Sequence, residues 1–130
     1  GGAIRGVMGG MGGRYLVDEY RRGSCGTMPA GHITDAHARL WDALEAGGTD
    51  AEERQVVTDK ARYIWMRIIP SLNFEFMFGA NAYKAAYWRR GIIKTPKTRI
   101  PANKLLDKFD YEELDRILDR MSDLLSWRAN

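Results

Sequence analysis

The segment best suited to bind a ligand is the glycine-rich loop at residues 9–13, Gly-Gly-Met-Gly-Gly. Where a glycine loop joins a strand to a helix, its backbone N–H groups and the positive helix end attract an anion. The spacing is not a dinucleotide fingerprint, because Tyr15 stands where the third glycine would be, and no Gly-Lys-Ser/Thr follows as in a P-loop. A tight turn, which needs glycine only because glycine tolerates positive φ angles, explains the loop equally well.

Other reactive side chains are few and widely spaced. His32 and His37 are five residues apart, so they do not share one helical face as metal ligands four apart would, and His37 is expected at the surface. Cys25 is the single cysteine, which excludes an internal disulfide and a thiolate zinc site, and a buried, inert thiol is expected in its predicted strand. We predict no metal site and no cofactor.

The net charge of +3 is too small to indicate nucleic acid without a localised basic patch. Basic residues do accumulate over residues 84–108, but acidic residues follow at once. Helix dipoles favour basic residues at the end of one helix and acidic residues at the start of the next, so the pattern has a structural explanation. No apolar run approaches the roughly 20 residues of a membrane span, and residues 1–13 do not resemble a secretory signal. We therefore predict a cytoplasmic protein that binds neither nucleic acid nor membrane.

Ten of the fourteen glycines lie in residues 1–31, which divides the chain into a turn-rich N-terminal third and a helical remainder. Two short strands, at residues 3–8 and 25–29, flank a helix at 14–22, and this order favours parallel pairing. Further helices are predicted at 34–45, from a Thr49–Glu52 capping box to a stop at Pro70, at 74–90, and from Asp110 onward. The predicted fold class is mostly α with two short parallel strands.

Several segments together resemble the dihydrodipicolinate synthase/N-acetylneuraminate lyase family. Residues 9–13 (GGMGG), 21–23 (RRG) and 25–30 (CGTMPA) resemble its seventh strand, seventh helix and eighth strand, and residues 46–52 (AGGTDAE) resemble a helix junction. Pro70, Lys84, residues 89–91 (RRG) and 99–101 (RIP) resemble its C-terminal helical appendage in the same order. The resemblance implies the last two βα units of a (β/α)8 barrel at residues 1–47, followed by the C-terminal helical region at residues 48–130.

The same resemblance implies a lyase or aldolase that acts on pyruvate or another 2-keto acid through a lysine Schiff base. Gly9, Gly10, Met28 and Ala30 match the family's substrate-binding positions. Met11 and Gly12 stand where members that bind polyols carry carboxylates or hydroxyls, so a sialic-acid-like substrate is not expected. The family's reactive lysine and catalytic tyrosine would precede Gly1, and no lysine in this sequence matches, so the chain contains no catalytic residue and is expected to be inactive alone.

Two function classes remain open from the sequence. The first is the C-terminal portion of a 2-keto-acid lyase, inactive without the rest of the enzyme. The second is a non-catalytic helical domain that assembles with itself or with another protein. Under either hypothesis we expect a homo-oligomer, because two short strands without further neighbours expose the polar edges of their backbones.

Overall fold

The computed structural model describes residues 2–99 and 105–127, which are mostly helical. Its helices are α1 (Leu16–Arg21), α2 (Thr34–Glu45), α3 (Asp59–Phe78), α4 (Ala80–Arg89) and α5 (Lys108–Arg120). Short 3-10 turns lie at Met11–Gly13, Gly31–Ile33, Glu53–Gln55 and Ser122–Leu124. No described residue belongs to a β-strand.

The two predicted parallel strands are therefore wrong, although their segments do run side by side. Gly9 and Thr27 form a single parallel bridge. The Gly9 N–H donates to the Gly26 carbonyl at 2.9 Å, and the Gly9 carbonyl accepts from the Met28 N–H at 3.1 Å. The pairing does not extend beyond this bridge into a ladder.

A one-residue change of register explains why the ladder stops. The Cys25 N–H donates to the Val7 carbonyl at 2.9 Å, which sets Val7 opposite Ser24 in a parallel arrangement, whereas Gly9 lies opposite Thr27. Between these positions, Met8 on one segment faces two residues on the other, Cys25 and Gly26, as in a β-bulge. At this irregular position the Ser24 hydroxyl donates to the Val7 carbonyl at 3.1 Å. A barrel needs unbroken ladders between neighbouring strands, so the prediction of two barrel βα units is contradicted.

Helix α2 has the predicted bounds, Thr34–Glu45, and it follows directly on the turn at Gly31–Ile33. Thr34 is its first residue rather than its cap, and the Thr34 hydroxyl contacts the Ala30 carbonyl at 3.4 Å. Buried residues recur along one face of the helix, including Ala36, Leu40 and Leu44. The apolar residues whose 3.6-residue spacing predicted this helix are therefore the residues that it buries.

The predicted capping box and the predicted stop at Pro70 are both wrong. The carboxylate of Asp50, not the Thr49 side chain, accepts the N–H groups at the turn Glu53–Gln55, and α3 begins later, with Thr58 as its cap. Helix α3 then continues through Pro70 to Phe78. A proline inside a helix removes one hydrogen bond but does not force an end. The chain turns instead at Gly79, whose φ of 55° and ψ of −127° suit only glycine.

Helix α5 begins at Lys108, two residues before the predicted start at Asp110, because Asp107 caps it. The Asp107 carboxylate accepts from the Asp110 N–H at 3.0 Å, and the Asp110 carboxylate accepts from the Asp107 N–H at 2.9 Å. This reciprocal pair satisfies two N–H groups that have no partner inside the helix. Two prolines, Pro96 and Pro101, predict an extended connector at residues 92–104, of which residues 100–104 lie outside the described residues.

One apolar core joins α1, α2, α3, α4 and α5. Its most deeply buried large side chains are Leu16, Tyr20, Ile33, Leu40, Ile68, Leu72, Leu114 and Met121. These residues come from both sides of the predicted division at 47/48, which stays a prediction. None of the helices in the described part of the chain has the length and apolarity needed to cross a membrane.

Candidate functional site

The glycine loop forms a tight turn that lies directly on two buried side chains. Its turn at Met11–Gly13 has three successive positive φ angles, 54°, 68° and 83°. A Cβ atom at Gly12 would overlap the Oε1 atom of Glu75, and one at Gly13 would lie 2.7 Å from the Nε2 atom of His37. Glycine is therefore needed here both for its backbone angles and for close approach. This geometry supports the interpretation as a turn rather than as an anion site.

The structure brings three of the four predicted substrate-binding residues together. Gly9 is hydrogen-bonded to Met28, and Gly10 follows it and accepts the Gly13 N–H at 3.1 Å. The Met28 side chain is 65% exposed. Ala30 lies further on, partly exposed, at the start of the turn Gly31–Ile33. The roles of these four residues in substrate binding stay a prediction.

Beneath the turn lies a buried polar cluster of Glu75, His32 and His37, each less than 10% exposed. The Nε2 atom of His32 is 3.4 Å from the Oε2 atom of Glu75 and 3.5 Å from the Oγ atom of Ser71. Both contacts use the same ring nitrogen, and Nδ1 of His32 has no hydrogen-bond partner. A Ser-His-acid triad needs one partner on each nitrogen, so this cluster is not a triad.

Burial sets the charges in this cluster. It raises the pKa of Glu75 to about 7, against the opposing charge of Arg14, and it lowers the pKa of His32 to about 4. Burial also lowers the pKa of His37. Removal from water disfavours the charged form of both an acid and a base. Between about pH 4 and 7, Glu75 and His32 therefore form a neutral contact rather than an ion pair.

Arg14 connects the turn to α3. Its Nη2 atom donates to the Leu72 carbonyl at 3.1 Å, and its guanidinium lies 5.0 Å from the centre of the Phe76 ring. Tyr83 of α4 closes the far side of the cluster, with its ring 5.2 Å from that of His32. Burial, and then the charge of Glu75, raise the pKa of Tyr83. The cluster thus lies between the turn, α3 and α4.

Two expectations about reactive side chains need correction. His37 is buried rather than at the surface, since its ring lies under Gly13 and its Nδ1 atom is 3.2 Å from the Ile33 carbonyl. Cys25 is exposed, because the strand that was to enclose it does not form. Within residues 2–99 and 105–127, no group of three His, Cys, Asp or Glu side chains could hold a metal ion.

Sequence reasoning missed Glu75, although a signal was present. Glu75 is the one acid among the aromatic and methionine residues 74–78, Phe-Glu-Phe-Met-Phe. An acid within such an apolar run indicates a carboxyl group on a helix face that is otherwise buried. In the structure the glycine turn covers the Glu75 carboxyl, so the group is removed from water. No family model, no curated protein and no solved structure matches the chain.

Proposed function

We propose that this chain supplies the keto-acid-binding backbone of a 2-keto-acid lyase and performs no chemistry alone. One observation carries the proposal. The Gly9–Met28 hydrogen bond places side by side the two segments that, by resemblance, face the substrate. The Gly9 N–H and C=O groups are used in this bridge, so the proposal assigns the orientation of a carboxylate and a keto oxygen to backbone groups beside it.

The surroundings of the lysines support the second half of the proposal. A lysine that forms a Schiff base must lose its proton near neutral pH, which requires a desolvated or positively charged environment. All lysines in the described part of the chain are exposed: Lys60, Lys84, Lys94, Lys97 and Lys108. None of these described amines is desolvated, so the proposal assigns the reactive amine to residues outside this chain.

Reduction with borohydride tests the absence of chemistry. The purified chain is incubated with pyruvate and borohydride, and its intact mass is measured, with a known Schiff-base aldolase as positive control. We expect no pyruvyl adduct on this chain and complete labelling of the aldolase. An adduct confined to one lysine would contradict the proposal, because it would show a reactive amine within the chain.

Amide NMR tests the binding half of the proposal. We expect pyruvate to shift the Gly9, Gly10 and Met28 resonances more than lactate does at the same concentration. Met66 on α3 is a matched control, since its side chain is 65% exposed, as is that of Met28. Equal responses to both acids, or shifts spread equally to Met66, would contradict keto-acid binding at this site.

Self-association is a second candidate function, favoured by the surface of the N-terminal segment. The side chains of Ile4, Val7 and Met8 are 77%, 67% and 51% exposed. Val7 and Gly9 direct their backbone groups toward residues 25–28, so the backbone groups of Met8, between them, point to the opposite edge. An apolar segment with a free edge is suited to pair with a second copy of the chain.

A charge on this segment tests the pairing. Val7→Lys adds a charge at the exposed position and is expected to shift the chain from dimer or higher oligomer toward monomer. Val56→Lys is the matched control, because Val56 is the same residue type, is 73% exposed and lies outside residues 4–8. Sedimentation equilibrium at micromolar concentration measures both. A wild-type monomer, or equal effects of the two variants, would contradict self-association through this segment.

A further inference from the structure

At Gly12, the glycine loop lies directly against a carboxyl group of the helical core, that of Glu75. Gly12 lies so near Glu75 that a Cβ atom could not be accommodated between them. The Oε2 atom of Glu75 is buried without a hydrogen-bond partner. We propose that Glu75 is a proton-controlled switch for the turn at Met11–Gly13, which closes over the protonated carboxyl and opens when the proton is lost.

The groups facing Glu75 explain why the closed turn requires the neutral form. His32 faces it from the turn Gly31–Ile33, Tyr83 from α4, and Arg14 from the chain just after the glycines. Arg14 is the cation among them, but its Nη2 atom is bonded to the Leu72 carbonyl. Neutral His32 and Tyr83 offer hydrogen bonds but no charge. A carboxylate enclosed by these groups loses its hydration and gains little in return.

The turn, rather than the helices, is the element free to move. Met11 is the one described non-glycine residue with positive φ, so the closed conformation is strained at that position. The turn is held by two backbone bonds, from Gly13 to Gly10 and from Arg14 to Met11. Helix α3, which carries Glu75, runs for 20 residues and is packed against α2, α4 and α5. Solvation of an ionised Glu75 is therefore achieved most readily by lifting the turn.

The direction of the pH response follows from the two states of the carboxyl. When the turn opens, Glu75 contacts water and its pKa falls from about 7 toward the ordinary value of 4.5. The open population then increases by up to about tenfold per pH unit between these values and is constant above them. His32 does not reverse this trend, because Arg90 and the rings of Tyr83 and Tyr87 hold it buried whether the turn is open or closed.

Amide hydrogen exchange of the whole chain without ligand tests the switch. After correction for intrinsic exchange rates, we expect protection of the Gly13 and Arg14 N–H groups, which form the two bonds of the turn, to fall as the pH rises from 5 to 7 and to level off by pH 8. Glu75→Gln, which is neutral at every pH, should remain protected throughout. Glu52→Gln, at an exposed glutamate, should behave like the wild type. The same pH dependence in Glu75→Gln, or none in the wild type, would overturn the proposal.

Carbon NMR of the wild-type carboxyl groups gives a second measurement that needs no variant. The Glu75 resonance should titrate with a midpoint near 7, and the Gly12 amide shift should follow the same curve. A Glu75 midpoint in the ordinary range of 4 to 5, or a Gly12 amide that does not follow it, would overturn the proposal. Neither experiment contains a keto acid, so their outcome is independent of the proposed function.

Discussion

Glu75 and His32 lie in contact but make the stability of the fold depend on pH in opposite senses. The raised pKa of Glu75 gives stability that is full below pH 4.5 and is lost as the pH rises to about 7. The lowered pKa of His32 gives stability that is full above pH 6.5 and is lost as the pH falls to about 4. The lowered pKa of His37 acts in the same sense as that of His32. Over the shared interval the contributions oppose each other.

Removing one partner should expose the contribution of the other. Between pH 4.5 and 6.5, Glu75→Gln should make the free energy of unfolding rise more steeply with pH, and His32→Gln should make it fall. Each change in slope is at most about 1.4 kcal/mol per pH unit. Urea unfolding at several pH values measures these slopes. Slopes unchanged from the wild type would contradict the assignment of opposite titrations.

Arg90 is a buried charge whose partners are all accounted for. Its guanidinium, 4% exposed, donates to the carboxylate of Asp35, to the His32 carbonyl and to the Trp127 carbonyl. Asp35 also accepts the Ser126 N–H at 2.7 Å. These bonds tie the start of α2, the end of α4 and the chain after α5 to one side chain. A buried arginine that loses its carboxylate partner is strongly destabilising.

Asp35→Asn should therefore cost about 3 kcal/mol of unfolding free energy, because it leaves the charge of Arg90 unpaired. The adjacent Arg89–Asp115 pair, at 3.0 Å, is a matched control, since its side chains are 33% and 53% exposed. Asp115→Asn should cost less than about 1 kcal/mol, as exposed pairs do. Denaturant midpoints compare the two variants. Equal costs would show that burial does not set the importance of the Arg90 pair.

At the scale of elements, prediction succeeded where one local rule decided the structure. The spacing of apolar residues in α2 predicts its extent, and the glycines that follow predict its end. Both agree with the structure, in which the apolar face is buried and the helix ends before those glycines. The prediction of two strands failed because a ladder of hydrogen bonds depends on the register between two separate segments. One extra residue after Ser24 changes that register, so the ladder does not continue. The sequence predicts the end of this helix at Pro70, because proline disfavours a helix locally. In the structure α3 continues through Pro70 and ends at Gly79.

The turn at Gly79 depends on its backbone angles alone. A Cβ atom there would meet no heavy atom within 4 Å, so the cost of Gly79→Ala is purely conformational. We expect a loss of about 1–3 kcal/mol in unfolding free energy. Gly10→Ala is the control, because its Cβ is equally unobstructed but its φ is −118°. Thermal or urea unfolding should show that control within about 0.5 kcal/mol of the wild type.

At the scale of the whole molecule, the candidate site combines a predicted and an unpredicted part. Residues 9–13 were recognisable because five residues with four glycines are rare outside a constrained turn. The cluster beneath them was not, because His32, His37 and Glu75 come from three separate elements. Only packing of α3 against the turn Gly31–Ile33 brings them together. Periodicity identifies the buried face of each helix but not which faces meet.

The bonds of Arg90 and Asp35 also bear on the order in which the chain folds. Arg90 and His32 are 58 residues apart in sequence, and Asp35 and Ser126 are 91 apart. Closing loops of this length costs chain entropy before the bonds return any free energy. Helices α2 to α5 must therefore reduce that distance by packing first. We therefore expect this cluster of bonds to form late in folding and to be lost early in unfolding from the C-terminal side.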